Sequence, residues 1–88
     1  MEYEWGEGKN EANIKNHGLD FLDAVKVLEY GEVLGSFQDT RMDYGEERFL
    51  LISGLYGEVY VIVYTYIEEN MRLISFRRAT KREARRYG

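Results

Sequence analysis

The side chains able to do chemistry in this sequence are nearly all cationic. Most of them crowd into one stretch, Arg72-Leu-Ile-Ser-Phe-Arg-Arg-Ala-Thr-Lys-Arg-Glu-Ala-Arg-Arg-Tyr87. Of the 12 Lys and Arg residues, Arg72, Arg77, Arg78, Lys81, Arg82, Arg85 and Arg86 fall there, against Glu83 as the stretch's one acid. The rest of the chain is so acidic that the whole carries a net charge of −4. Asymmetry of this kind marks an end that meets a polyanion or an acidic partner. Within it, Arg77 and Arg78 stand where a strand should give way to a helix. A phosphate site can be built at such a junction, partly from the helix N-terminus.

Outside that stretch the candidates are few. His17 is the only histidine. Its ordinary pKa, about 6.5, suits a general acid or base. A His just before Gly18 can equally bind the last carbonyls of a helix and favour the negative end of its dipole. Lys9 and Asn13 are four apart, hence on one helical face, and either present an ammonium and an amide to phosphate or form a solvated surface. Arg48 can clamp a phosphate bidentately, or pair across strands with an acid such as Glu58 or Glu32. There is no cysteine, and the acids are scattered rather than clustered, so no metal-ligand spacing exists and no cofactor is implied. Gly6-x-Gly8 and Gly54-x-x-Gly57 read as turns, not phosphate loops.

These residues need elements to hold them. Eighty-eight residues with 44% hydrophobic content make a single globular domain, residues 1–88, with a modest core. No apolar run is long enough for a membrane span, and no signal-peptide pattern opens the chain, so a cytoplasmic protein is the default. Glu2 to Trp5 suits a short edge strand with Tyr3 and Trp5 inward. Lys9 to Asn16 reads as a mostly exposed helix closed by Gly18 in a left-handed conformation. Asp20 can N-cap a second helix, with Asp23 in a capping-box-like position and Phe21, Ala24, Val25 and Leu28 on the buried face. Gly31 ends it. Val33 to Phe37 can form a strand, ahead of a polar connection. Arg48 to Ser53 and Glu58 to Ile67 are strong strands. In the second, Val59, Val61, Val63, Thr65 and Ile67 alternate with Tyr60, Ile62, Tyr64 and Tyr66, as in a central strand covered on both faces. Arg72 to Arg77 follows, with Arg72, Ile74, Phe76 and Arg78 expected on one face and Ser75 and Arg77 on the other. Thr80 then N-caps a terminal helix with Glu83 at N3. The order is β-α-α-β-β-β-α, an α+β domain with a mainly antiparallel sheet and helices packed on it.

Three separated blocks of residues, in order, carry a family resemblance. They are Trp5 with Lys9, Asn13, His17-Gly18 and Phe21; Gly45-Glu46-Glu47-Arg48-Phe49; and Arg72-Leu-Ile-Ser75-x-Arg77-Arg78-Ala79-Thr80-x-x-Glu83 with Tyr87. Together they resemble the BrnT family, the toxins of BrnT/BrnA toxin–antitoxin modules, over nearly the whole chain. The resemblance implies a RelE-like fold and a ribonuclease that cleaves RNA and inhibits translation. It also implies a BrnA-like ribbon-helix-helix antitoxin as partner, with operator DNA met only through the complex. Departures from the family pattern are Gly6 for an acid, Asn16 for a basic residue, Phe76 for a small one, and the acidic balance of the whole.

Cleaving RNA without a metal needs a base for the 2′-OH, cations for the charged transition state and an acid for the leaving oxygen. The residues available for catalysis are Arg48, Arg77, Arg78, His17 and Glu83, with Lys9, Arg72, Lys81 and Arg82 for RNA binding and Tyr87 for stacking or proton transfer. The terminal helix has three readings: an RNA-binding face, a docking face for an acidic antitoxin segment, or a solvated helix end. At the level of function, an endoribonuclease toxin stands beside a catalytically weak binding module acting mainly through antitoxin pairing. The tyrosine-rich strands also admit a structural interaction protein.

Overall fold

A run of β-branched and aromatic residues, Val59-Tyr-Val-Ile-Val-Tyr-Thr-Tyr66, forms the strand on which the rest is laid. The computed structural model describes residues 2–88. Its elements are β1 (Tyr3–Glu4), α1 (Glu7–His17), α2 (Phe21–Tyr30), β2 (Glu32–Asp39), β3 (Arg48–Leu55), β4 (Glu58–Ile67), β5 (Asn70–Arg78) and α3 (Lys81–Tyr87). They give an α+β fold with one five-stranded sheet in the order β1-β5-β4-β3-β2. All neighbours pair antiparallel except β1, which runs parallel to β5. Val33–Phe37 is thus a strand, longer than its apolar residues suggest, and the meander holds four strands.

β4 is covered on both sides, with Val61 and Ile62 each fully buried. Ile62 and Tyr64 face a layer made by α2, where Phe21, Ala24 and Val27 join Leu51, Leu73 and Phe76 in the main core. Val27, not Val25, completes the buried stripe of α2. Trp5 meets Phe21 edge-on at 5.8 Å between ring centroids, so β1 turns its aromatics inward as its alternation implies. Val61, Val63 and Ile52 point to the opposite face, where α3 lies. The β3–β4 connection is a two-residue turn with both residues left-handed, Tyr56 at φ 52° and Gly57 at φ 80°. That geometry matches the twist of a hairpin. Gly54 lies inside β3 and is not part of the turn.

Residue β5 alternation is interrupted once. Val63 pairs with Ser75 but Tyr64 pairs with Leu73, so Ile74 is an extra residue in a β-bulge. The extra residue shifts the parity of everything after it. Met71, Leu73 and Phe76 therefore share the α2 face, and Arg72 joins Arg77 on the α3 face. The uninterrupted alternation expected from the sequence, with Arg72 beside Phe76, is corrected by this bulge.

α1 has almost no apolar face, and its one buried residue is Asn13. The Asn13 amide donates to the Phe76 carbonyl at 2.8 Å and accepts from the Phe76 N–H at 2.9 Å. It also donates to the Leu19 carbonyl at 2.9 Å. Neighbouring Asn10 accepts from the Phe21 N–H at 2.9 Å and donates to Asp20, which itself accepts from the Leu22 N–H. Asn10 and Asp20 thus satisfy the start of α2, and Asp23 turns instead toward Lys26. Replacing Asn13 by Ala strands the Phe76 N–H and C=O in a buried site, at about 1–3 kcal/mol for each lost partner. Asn13→Ala is expected to lower stability by about 2–4 kcal/mol. Urea unfolding followed by circular dichroism measures this, and a loss under about 1 kcal/mol means that water replaces the amide.

Candidate functional site

α3 has only seven residues and no buried side chain, so it cannot hold itself in place. Three contacts do. Thr80 and Glu83 form a reciprocal capping box, with the Thr80 hydroxyl accepting from the Glu83 N–H at 3.1 Å and the Glu83 carboxylate accepting from the Thr80 N–H at 2.8 Å. The same carboxylate receives both terminal nitrogens of Arg77, at 2.7 and 3.0 Å. At the far end Tyr87 packs edge-on against Phe37, 5.5 Å between centroids, over the bare backbone of Gly35. A Cβ on Gly35 would approach the Phe37 and Tyr87 rings to 3.0 and 3.3 Å, so glycine is what lets the tyrosine close down.

Between α3 and the sheet lies a cleft of about 380 Å³. Its floor is apolar: Phe37, Leu50 and Ile52. Its walls are charged, with Arg82, Glu83 and Arg86 on α3 and Asp39 and Arg41 at the end of β2. Arg82 and Arg86 are four apart, so one face of the helix sends both cations to the same side. The buried Asp39 carboxylate takes Arg41 through two 2.8 Å bonds and accepts a longer one from the Tyr44 hydroxyl. Hydrogen bonds from Arg41 are the main reason its pKa is held down at about 2, against the cost of burial. The partnership raises Arg41 further above its ordinary value.

Glu83 behaves likewise. The Arg77 guanidinium, outweighing desolvation, holds its carboxylate at about 2. A group so acidic is a poor proton acceptor near neutrality, and its geometry fixes Arg77. The guanidinium carries five N–H groups. Two go to Glu83 and one to the Arg78 carbonyl at 3.3 Å, which leaves two for a ligand.

The residues singled out in the sequence separate into three places. Glu83, Arg82 and Tyr87 line the cleft, and Arg77 is joined to it through Glu83 without lining it. Arg48 and Arg72 occupy the end of the same sheet face away from Arg77, with Arg48 beside the cleft residue Asp39. Thr65 lies across from Arg72 in register, Asp39 across from Arg48, and the Thr65 hydroxyl donates to the Glu47 carbonyl. From Val61, opposite Arg77, to Thr65 is about 13 Å at a strand's rise. Arg72 is tied to Glu4 at 2.7 Å. Arg48 sits 4.0 Å from the Tyr44 ring centroid, its Nη2 3.5 Å from Glu46, with its buried Nε unpartnered among the described residues. Lys9 and His17 belong to α1, which docks on the outer edge of β5, and both are exposed. Exposed Arg78 follows Phe76 onto the α2 face, and exposed Lys81 does not line the cleft. Asn13 is committed to the backbone of β5 and has no amide to offer a ligand.

Arg41, Asp39 and Phe37 are the cleft residues that sequence reasoning overlooks. The signal for the first two is local: an Asp two residues before an Arg, with the Arg41 N–H turned onto the Asp39 carboxylate at 3.2 Å.

The Glu83–Arg77 pair has a pH signature. Glu83 ordinarily titrates near 4.5 and is held at about 2 in the folded chain, so its contribution is complete above 4.5 and fades as pH falls toward 2. Glu83→Gln keeps a capping acceptor but removes the charge. Melting curves are expected to show the variant less stable at pH 7 and level with the parent near pH 2. A gap that persists unchanged at low pH removes the ion pair as its cause.

A family model described as "Ribonuclease toxin, BrnT, of type II toxin-antitoxin system" matches residues 5–83. None of the curated proteins matches the chain.

Proposed function

The chain belongs to the BrnT family of ribonuclease toxins of type II toxin–antitoxin systems, and from that premise we propose that it is a metal-independent endoribonuclease. Its cleft lies between α3 and the sheet. In this reading it acts in the cytoplasm, cleaves RNA and so inhibits translation. A BrnA-like ribbon-helix-helix antitoxin neutralises it, and operator DNA is reached only through that complex. No helix of the described chain is long and apolar enough to cross a membrane.

The observation that carries the proposal is a cleft with an apolar floor and Arg82, Arg86 and Glu83 on its wall, with the guanidinium of Arg77 fixed on Glu83 at its margin. A phosphodiester entering the cleft meets cations already oriented, so little reorganisation is needed as charge builds in the transition state. Arg77 stabilises that charge with its two remaining N–H groups. Arg82 and Arg86 bind flanking phosphates, and the apolar floor receives a base or ribose. Glu83 positions Arg77 rather than moving a proton. Arg72, about 13 Å from Arg77 along the face, and Arg48, across from the cleft residue Asp39, are placed to follow the RNA backbone away from the reacting phosphate.

Purified protein incubated with single-stranded RNA in the presence of a chelator tests this directly. Arg77→Ala is expected to lower the cleavage rate about 10²–10³-fold, the usual loss when one transition-state donor is removed. Arg82→Ala with Arg86→Ala is expected to weaken RNA binding and flatten its salt dependence. Full cleavage by a folded Arg77→Ala variant would sink the assignment.

The acidic balance of the chain favours a second reading, a binding module with weak catalysis that works through its antitoxin. Induction of the chain alone separates the two. Growth arrest with RNA cleavage supports the enzyme; neither effect supports the binding module.

A further inference from the structure

Arg41 lines the cleft, yet the cleavage step makes no use of it. Its guanidinium is held at the end of β2 by Asp39, whose side chain is 1% exposed against 63% for Arg41 itself. Nε and Nη2 each donate to that carboxylate at 2.8 Å, and the Arg41 backbone N–H joins them at 3.2 Å. With the Tyr44 hydroxyl at 3.4 Å, every lone-pair position of the carboxylate is taken. Asp39 therefore has nothing left to offer a ligand, and its role is to hold one guanidinium still.

Asp39 occupies the edge of the guanidinium shared by Nε and Nη2. The outer edge, between Nη1 and Nη2, still presents two parallel N–H groups. Such a fork matches two adjacent acceptors. A phosphate offers a pair of this kind, but Asp39 has already compensated the charge of Arg41. Arg82 and Arg86, also lining the cleft, form no ion pair among the described residues and are the better phosphate partners. An uncharged pair of acceptors suits Arg41, and RNA carries such pairs on its bases. Guanine presents O6 and N7 together, whereas adenine sets an amino donor beside N7. Uracil separates its two carbonyls by an N–H. Cytosine has N3 beside O2, but a pyrimidine covers less of the floor formed by Phe37, Leu50 and Ile52.

Resting on the reading of the cleft as a ribonuclease site, we propose that Arg41, oriented by Asp39, selects single-stranded RNA with a guanine in the cleft. The base lies on the apolar floor, and its O6 and N7 accept from Nη1 and Nη2 of Arg41. Unpaired bases of a single strand are open to this kind of reading. Because the fork is fixed before the base arrives, little side-chain freedom is lost on binding. Arg41 governs which RNA is cleaved, and Arg77 how fast.

Single-stranded oligouridines carrying one central guanine, adenine, cytosine or 7-deazaguanine test the proposal, by kcat/KM for cleavage and by fluorescence anisotropy for binding. Guanine is expected to lead adenine and cytosine by about tenfold in kcat/KM. 7-Deazaguanine, which lacks only the N7 acceptor, is expected to lose most of that lead. Arg41→Lys keeps a cation on Asp39 but has no fork. It is expected to melt near the parent and to treat guanine, 7-deazaguanine and adenine alike. Equal cleavage of guanine and 7-deazaguanine by the parent overturns the proposal, and so does a preference for cytosine. A loss in Arg41→Lys that is uniform across the four oligonucleotides marks a phosphate contact and overturns it too. If none of them is cleaved, the ribonuclease reading fails. Binding that still favours guanine over 7-deazaguanine then upholds selection by Arg41, and equal binding overturns it as well.

Discussion

One buried amide holds the architecture to its function. β1 covers only the first part of the outer edge of β5, pairing at Met71 and Arg72. Beyond that point the edge has no strand beside it, yet Phe76 is buried. The side chain of Asn13 takes the missing strand's place, accepting from the Phe76 N–H and donating to its C=O as a neighbouring peptide group would. A buried backbone pair left open would cost more than the packing of a sparsely apolar helix returns. α1 is therefore bound to the sheet chiefly through hydrogen bonding rather than hydrophobic burial, and that bond fixes the backbone one residue before Arg77.

From there the geometry of the cleft follows step by step. The bulge at Ile74 sends Arg77 to the face opposite the main core. Arg77 grips Glu83 with two nitrogens, and Glu83 is also the N3 residue of the α3 capping box. One carboxylate thus ends a strand, starts a helix and orients a guanidinium. α3 contributes little burial of its own, so its position, and with it that of Arg82 and Arg86, depends on this pair and on Tyr87 resting over Gly35.

Local chemistry was the legible part of the sequence. The Thr80 and Glu83 spacing, the Asp20 cap, the left-handed Gly18 and the two-faced alternation of β4 each depend on residues within a few positions of one another. All appear in the structure as read. The family resemblance likewise agrees with the matching family model. What could not be read depends on non-local geometry. An extra residue at Ile74 is invisible in β5 alone, because it exists only relative to β4, and it reassigns the face of Arg72. Asn13 reads as either a ligand-facing or a solvated amide, because helical spacing beside Lys9 says nothing of a β5 edge 63 residues away. Arg41 was hidden in a polar connection, since its role depends on how β2 and α3 meet.

The charge pattern finally makes physical sense as a contrast rather than a total. A molecule of net charge −4 repels polyanions over most of its surface, and within a Debye length, about 8 Å at physiological salt, that repulsion is local. Cations gathered by one sheet face and one helix side can still attract phosphate, because a cleft with an apolar floor concentrates their field. Acid elsewhere then suppresses unproductive contacts and leaves the cleft as the favoured landing site. The two carboxylates inside it, Asp39 and Glu83, stay ionised and are each taken up by one arginine. Arg41, which lines the cleft, and Arg77 behind Glu83 are thereby fixed in direction, while Arg82 and Arg86 carry the uncompensated charge that an anion would meet first.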